Sequence, residues 1–215
     1  MSGTRRIDLS RLLFALDFHL IRHDGLLGFF HNYLREAVEH RYLSSQQSVH
    51  AARSGVTAYF ERSDLTLRSA LELMWQYSSS NDDEKLAHIL SRADVLRLVP
   101  TDSGRNQNAV VEQWTRLISK GYDMPAAFAS GLASVESAIS VDDRAETMRV
   151  MATLMLTLHF LDEAEPLSRE LIALGEQHGN LQWQLEGHRL WGAILENRSQ
   201  LDEALAHHEI EARLA

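Results

Sequence analysis

Histidine and carboxylate are the residue types through which this chain could do chemistry, and their spacing limits what that chemistry is. Eleven histidines are present and no cysteine. The absence of cysteine excludes a disulfide framework, a thiolate zinc site and a cysteine nucleophile. The helical zinc pattern H-E-x-x-H is approached at 208–212, but Ala212 stands in the fifth place. His19 and His23 fall on one strand face, yet about 13 Å apart along it. His40, His50, His88, His159, His178, His188, His207 and His208 are scattered over predicted helices. Asp82-Asp83-Glu84 and Asp142-Asp143 sit at predicted helix starts, where they complement the helix dipole. There is no G-x-S-x-G elbow and no G-x-G-x-x-G. The only lysines, Lys85 and Lys120, follow Glu84 and Ser119, so a G-x-x-x-x-G-K-[ST] phosphate loop is absent. One histidine is differently placed. His31 follows Phe29-Phe30 where a helix is predicted to open, and a helix N-terminus suits a phosphate. An imidazole there adds a donor that titrates near neutral pH. A plain capping or core contact is the other reading, and both stay open.

The elements that would position these groups are mostly helical. Residues 19–38, "HLIRHDGLLGFFHNYLREAV", are the exception. Asp24-Gly25 between apolar runs predicts a two-residue turn and a β-hairpin over 18–30, pairing Leu20 with Phe29 and Arg22 with Leu27. Before it, Ser10–Leu16 reads as a short helix. After it, Phe30, Leu34, Ala37, Val38 and Tyr42 form one helical stripe. Val49, Ala52, Val56, Tyr59 and Phe60 form a second; Leu67, Leu71, Met74 and Trp75 form a third. "SSSNDD" opens a shorter helix. "RLVPTDSGRNQ", with Pro100 and Gly104, is the best candidate for a domain boundary. Trp75 and Trp114 are expected in the core.

Composition bounds the class. The chain has 215 residues, is 45% hydrophobic and 24% charged, and carries a net charge of -9. That suits a globular protein with a real core. No stretch approaches the roughly 20 apolar residues of a membrane span, and "MSGTRRIDLSRLLFALDF" is a poor signal peptide. A cytoplasmic protein without a membrane partner is expected. Residues 1–60 are net +2 and residues 141–215 net -8. An acidic C-terminal half argues against nucleic acid as the main partner.

"LDEA" occurs at 161–164 and again at 201–204, and the flanks keep phase: Arg149 with Arg189, Met151 with Trp191, Ala152 with Gly192. A period of this size with two helices is the mark of a helical solenoid. Small residues at 152, 164, 192 and 204 would let the paired helices approach closely. The pattern resembles the tetratricopeptide repeat (TPR), most clearly over 143–215. It departs from it in length, in lacking a closing proline in the first repeat, and in lacking the usual tyrosine. The chain stops inside a second helix at "HHEIEARLA", which implies truncation or a partner that continues the stack.

"GFFHNYLREAVEHRYL" resembles the end of the winged-helix domain in STAND-class NTPases of the NACHT type. "HAARSGVTAYFER", "RSALELMWQY" and "DDEKLAHILSRADVLRLV" resemble the connector to the TPR array in nephrocystin-like and bacterial NACHT–TPR proteins. The resemblance implies an all-α fold: a TPR-like α-helical solenoid preceded by a small winged-helix remnant with one β-hairpin. Its expected parts are 1–43 (end of the winged helix), 44–103 (helical connector) and 104–215 (repeats). It also implies that His31 occupies the place of the family's sensor histidine, which contacts the β-phosphate of bound ADP. Without a phosphate loop the chain is not expected to be an enzyme. It would hold no cofactor itself, and ADP or ATP would matter only with an ATPase domain supplied elsewhere.

The expected function is then a non-catalytic interaction and sensor region that binds a protein or peptide. Other expected partners are a missing N-terminal NTPase domain or a second copy at an exposed repeat edge. In TPR phase the concave face would carry Glu146, Arg149, Thr153, Glu186, Arg189, Ala193, Glu196 and Asn197. The repeated arginines would suit partner carboxylates, or would only offset the acidic helices around them. The alternative is a winged-helix DNA-binding regulator with a TPR sensor. Against it, the segment before the wing, "DLSRLLFALDF", is poor in base-reading side chains.

Overall fold

The computed structural model describes residues 11, 14, 16–23, 26–98, 104–135 and 139–214. The Asp24-Gly25 turn, most of the predicted helix over 10–16, and residues 99–103 of the predicted boundary lie outside these. The chain divides into two compact units, residues 1–59 and 60–215. Apart from one short strand pair and a single 3-10 turn, the regular structure among the described residues is α-helical.

In the first unit a 3-10 turn, Asp17–His19, leads into β1, Leu20–His23, which pairs antiparallel with β2, Leu26–Phe29. Leu20 lies opposite Phe29 and His23 opposite Leu26. The Phe30 N–H donates to the His19 carbonyl at 2.8 Å, closing the open end of the pair. Then come α1, Asn32–Tyr42, and α2, Gln46–Phe60. Ser45 and Ser48 exchange backbone-to-hydroxyl hydrogen bonds of 3.1 Å, fixing the start of α2 by a reciprocal cap. Neither helix contains a buried residue. Of the predicted stripes, Leu34, Val38 and Val49 are half-buried, whereas Phe30, Tyr42, Val56 and Tyr59 are exposed.

The second unit is a succession of helix pairs. Its first pair is α3, Leu67–Ser80, and α4, Asp83–Ser91, followed by the short α5, Ala93–Leu98. The others are α6, Gly104–Ser119, with α7, Met124–Ala133; α8, Val141–Thr157, with α9, Leu161–His178; and α10, Leu181–Asn197, with α11, Leu201–Leu214. The starts are written in the sequence. Thr66 and Ser69 form a capping box on α3, and Asp82, Asp123, Ser140 and Asn180 each accept a backbone N–H in the first turn of their helices.

The turns repeat as strictly as the helices. Each pair is joined through one left-handed residue: Asn81, Gly121, His159 and Ser199, spaced by 40, 38 and 40 residues. The next residue's N–H reaches five residues back in every case: Asp82 to Tyr77 (3.0 Å), Tyr122 to Leu117 (3.1 Å), Phe160 to Met155 (2.8 Å) and Gln200 to Leu195 (2.9 Å). This Schellman closure satisfies carbonyls the helix end would leave open and reverses the chain at once. The helices α8 and α10 begin 40 residues apart, and so do α9 and α11.

The larger apolar cluster among the described residues draws on helices from α3 to α10, and a smaller one gathers Ala145, Ala152, Leu171 and Leu190. Trp114 is fully buried and meets Phe128 edge-on at 5.4 Å. The expectation for Trp75 is overturned: it is 55% exposed. Leu73, Met74 and Tyr77 face the core, and position 75 turns outward between them.

His159 and Ser199 hold left-handed conformations (φ 63° and 61°) that cost an L-residue energy and glycine almost none. The substitutions His159→Gly and Ser199→Gly are each expected to stabilise by roughly 0.5–1 kcal/mol, read as a higher urea midpoint at unchanged slope.

Candidate functional site

His31 is set by the end of β2 and the start of α1. Its backbone is extended at the N-cap position, and its side chain makes no capping hydrogen bond. The ring lies edge-on to Phe30 at 4.5 Å and stacks on Tyr33 at 5.1 Å. The residue is exposed, and the first turn of α1 carries no acidic side chain. The imidazole is therefore neither a cap nor a core group; it is an exposed ring held between two aromatics.

The residues read as a concave face are brought together in repeat-related pairs. Arg149 binds Glu146 through two hydrogen bonds of 2.8 and 2.7 Å, and Arg189 binds Glu186 at 2.5 Å, each along one helix. Arg149 is the covered member in α8, while Glu186 is the covered member in α10. The Thr153 hydroxyl donates to the Arg149 carbonyl, and the Asn197 amide to that of Ala193. Glu196 pairs with His208 at 3.2 Å. Both arginines thus have carboxylates on their own helix, and an acidic partner would have to displace Glu146 or Glu186 to use them.

Two features escaped the sequence reading. A groove of about 340 Å³ lies between α7 and α9, floored by Met151 and Met155 of α8 and walled by Pro125, Phe128 and Pro166. Glu163, exposed, stands at its rim. Forty residues on, α9, α10 and α11 bring Arg169, Trp191 and His207 into a stack. The guanidinium carbon sits 4.2 Å from the indole centre, and the indole 4.2 Å from the imidazole. His207 Nδ1 lies 2.8 Å from His188 Nδ1, so one ring donates and the other accepts. The signal for the stack was the 40-residue period carried to side chains beyond "LDEA": Met151 with Trp191 and Leu167 with His207.

A second cavity, about 350 Å³, opens beside α4, α5 and α8 and is lined by His88, Arg92, Asp94, Arg97 and Asp143. Its charges are internally matched. Arg92 grips Asp94 through 3.0 and 2.6 Å bonds, and Arg97 pairs with Asp143 at 3.2 Å. The Arg92 guanidinium holds the Asp94 carboxyl below the usual range. Among the described residues no cluster of three or more His, Cys, Asp or Glu could hold a metal ion, and no helix is long and apolar enough to cross a membrane.

The chain matches no family model, no curated protein and no solved structure.

Burial holds His188 and His207 below the ordinary histidine range, and His188 adds to the effect on His207. Glu176 facing His188 and Glu203 facing His207 pull the other way; Arg169 and His208 add to the depression at His207. A histidine with a lowered folded pKa favours the folded state when neutral. The contribution is complete above the unfolded value near 6.5 and is lost as the pH falls below it. The urea midpoint is expected to drop between pH 7.5 and 5.5, and His188→Gln to flatten that drop. An unchanged pH slope in the variant would contradict this account of the pair.

Proposed function

We propose that this chain is a non-catalytic, peptide-binding helical array of TPR-like form. The observation that carries the reading is the recurrence of one helix-pair turn at Asn81, Gly121, His159 and Ser199. An array of pairs stacked on a shared core presents grooves between neighbours at regular intervals, which is how helical repeats bind extended chains. The groove beside α8 is such a place, and its apolar lining suits a side chain of a partner.

Within the same proposal, residues 1–43, with the hairpin at 18–30, are the end of a winged-helix module from a STAND-type NTPase of the cytoplasm. The order of 3-10 turn, strand pair and helix supports it, as does His31 at the helix start. His31 would then meet an ADP phosphate only when an ATPase domain is supplied by another segment or chain.

The test is a fluorescence-anisotropy screen of degenerate peptides against the full chain, with duplex DNA at low salt and ATP turnover run alongside. Saturable peptide binding is expected, with slowed amide exchange in α7–α10, no retained DNA and no hydrolysis. Salt-sensitive DNA binding without any peptide binding would overturn the proposal in favour of a DNA-binding regulator. Turnover of ATP by the pure chain would overturn the non-catalytic part.

A further inference from the structure

Successive helix pairs meet at equivalent positions, but the two meetings are finished differently. Where α7 and α9 flank α8, Met151 and Leu167 stand forty residues before Trp191 and His207, and the 340 Å³ groove opens beside them. Where α9 and α11 flank α10, Trp191 and His207 are joined by Arg169, and an indole fills the place between a guanidinium and an imidazole. The fold thus carries the same seat twice, once occupied by its own tryptophan and once left open by a methionine.

We propose, resting on the peptide-binding reading above, that the open seat receives an aromatic side chain, Trp or Phe, from a partner peptide with basic residues on either side. Size argues for a single side chain, since the volume is at the lower end for any ligand pocket. Two thioethers in the floor adapt to a flat ring and make favourable sulfur–aromatic contacts. Pro125 and Pro166 offer apolar faces for it to lie against. The basic flanks follow from charge. Glu163 at the rim forms none of the ion pairs found among the described residues, and residues 141–215 are net -8. The second seat shows the same preference, with the cation Arg169 lying over its indole.

The test uses the full chain and a fluorescein-labelled, end-capped peptide centred on Arg-Trp-Arg, with Arg-Ala-Arg as its partner probe. The Trp peptide should bind saturably and the Ala peptide at least tenfold more weakly. Met151→Trp should fill the seat from within, keep the far-UV spectrum, and weaken the Trp peptide at least tenfold. Ala129→Arg, at an exposed position, gives a second blocked version that does not disturb the floor. Glu163→Lys should weaken binding several-fold and flatten its salt dependence. Absence of saturation at millimolar peptide would overturn the proposal, as would undiminished binding to both blocked variants. If library peptides still bind while the Arg-Trp-Arg probe does not, the groove assignment fails and the peptide-binding reading stands.

Discussion

Close approach between helix backbones is the constraint on which the second unit depends. A Cβ on Gly187 would lie 2.5 Å from Ile172 Cγ1 and 3.0 Å from the Ser168 carbonyl oxygen, so α9 and α10 touch main chain to main chain. A Cβ on Gly175 would meet Gln184, and one on Gly192 would meet the His208 ring. Gly131 makes the corresponding contact for α7, against the Ser91 carbonyl at the end of α4. Buried alanines at 145, 152, 164 and 204 complete the seams. With interiors packed at near-crystalline density, an added methyl has nowhere to go without moving a helix. The leucines, methionines and aromatic rings of the core then fill the space that these seams define.

Charge networks fasten the turns. Asp83, at the start of α4, binds Lys120 and Arg116, and Arg116 also donates to the Ser78 carbonyl at 3.1 Å. Those two cations hold the Asp83 carboxyl below its usual range. Arg198, past the end of α10, reaches back to Asp162 and Glu165 at the start of α9, and depresses Glu165 in the same way. Glu165 also pairs with Arg169, so this fastening is continuous with the cation over Trp191. Pairs as exposed as these contribute modestly to stability. Their larger role is register: each ties the end of one helix to the start of an earlier one.

Much of this was legible because it is local. The helix starts at "SSSNDD" and at Asp142-Asp143 need only their own first turn, and the "LDEA" period needs only the chain. The helical stripes of α1 and α2 were also legible as periodicity, but not their burial. Phe30, Tyr42 and Tyr59 have the spacing of a core face and are exposed, because period reports which residues share a face and not what covers it. Trp75 was misread for the same reason, being one position off the inward side of α3. The groove was not legible at all. It is a void left where three helices meet, and it depends on Met151 standing where the next pair has Trp191. Likewise the Glu146–Arg149 and Glu186–Arg189 pairs were countable as charges, yet the orientation that turns each arginine onto its own helix is a side-chain fact.

The functional account follows from the same geometry. Small residues draw the helices together, the turns repeat at fixed spacing, and neighbouring pairs must then meet at equivalent positions, one meeting closed by an indole and one open. The central claim is therefore the backbone contact itself, and chemical denaturation of Gly131→Ala beside Ser130→Ala tests it most directly. Ser130 is the exposed neighbour on the same helix. The account predicts a loss of about 1–3 kcal/mol for Gly131→Ala and a change within about 0.5 kcal/mol for Ser130→Ala. Equal unfolding midpoints for the two variants and the parent would contradict it.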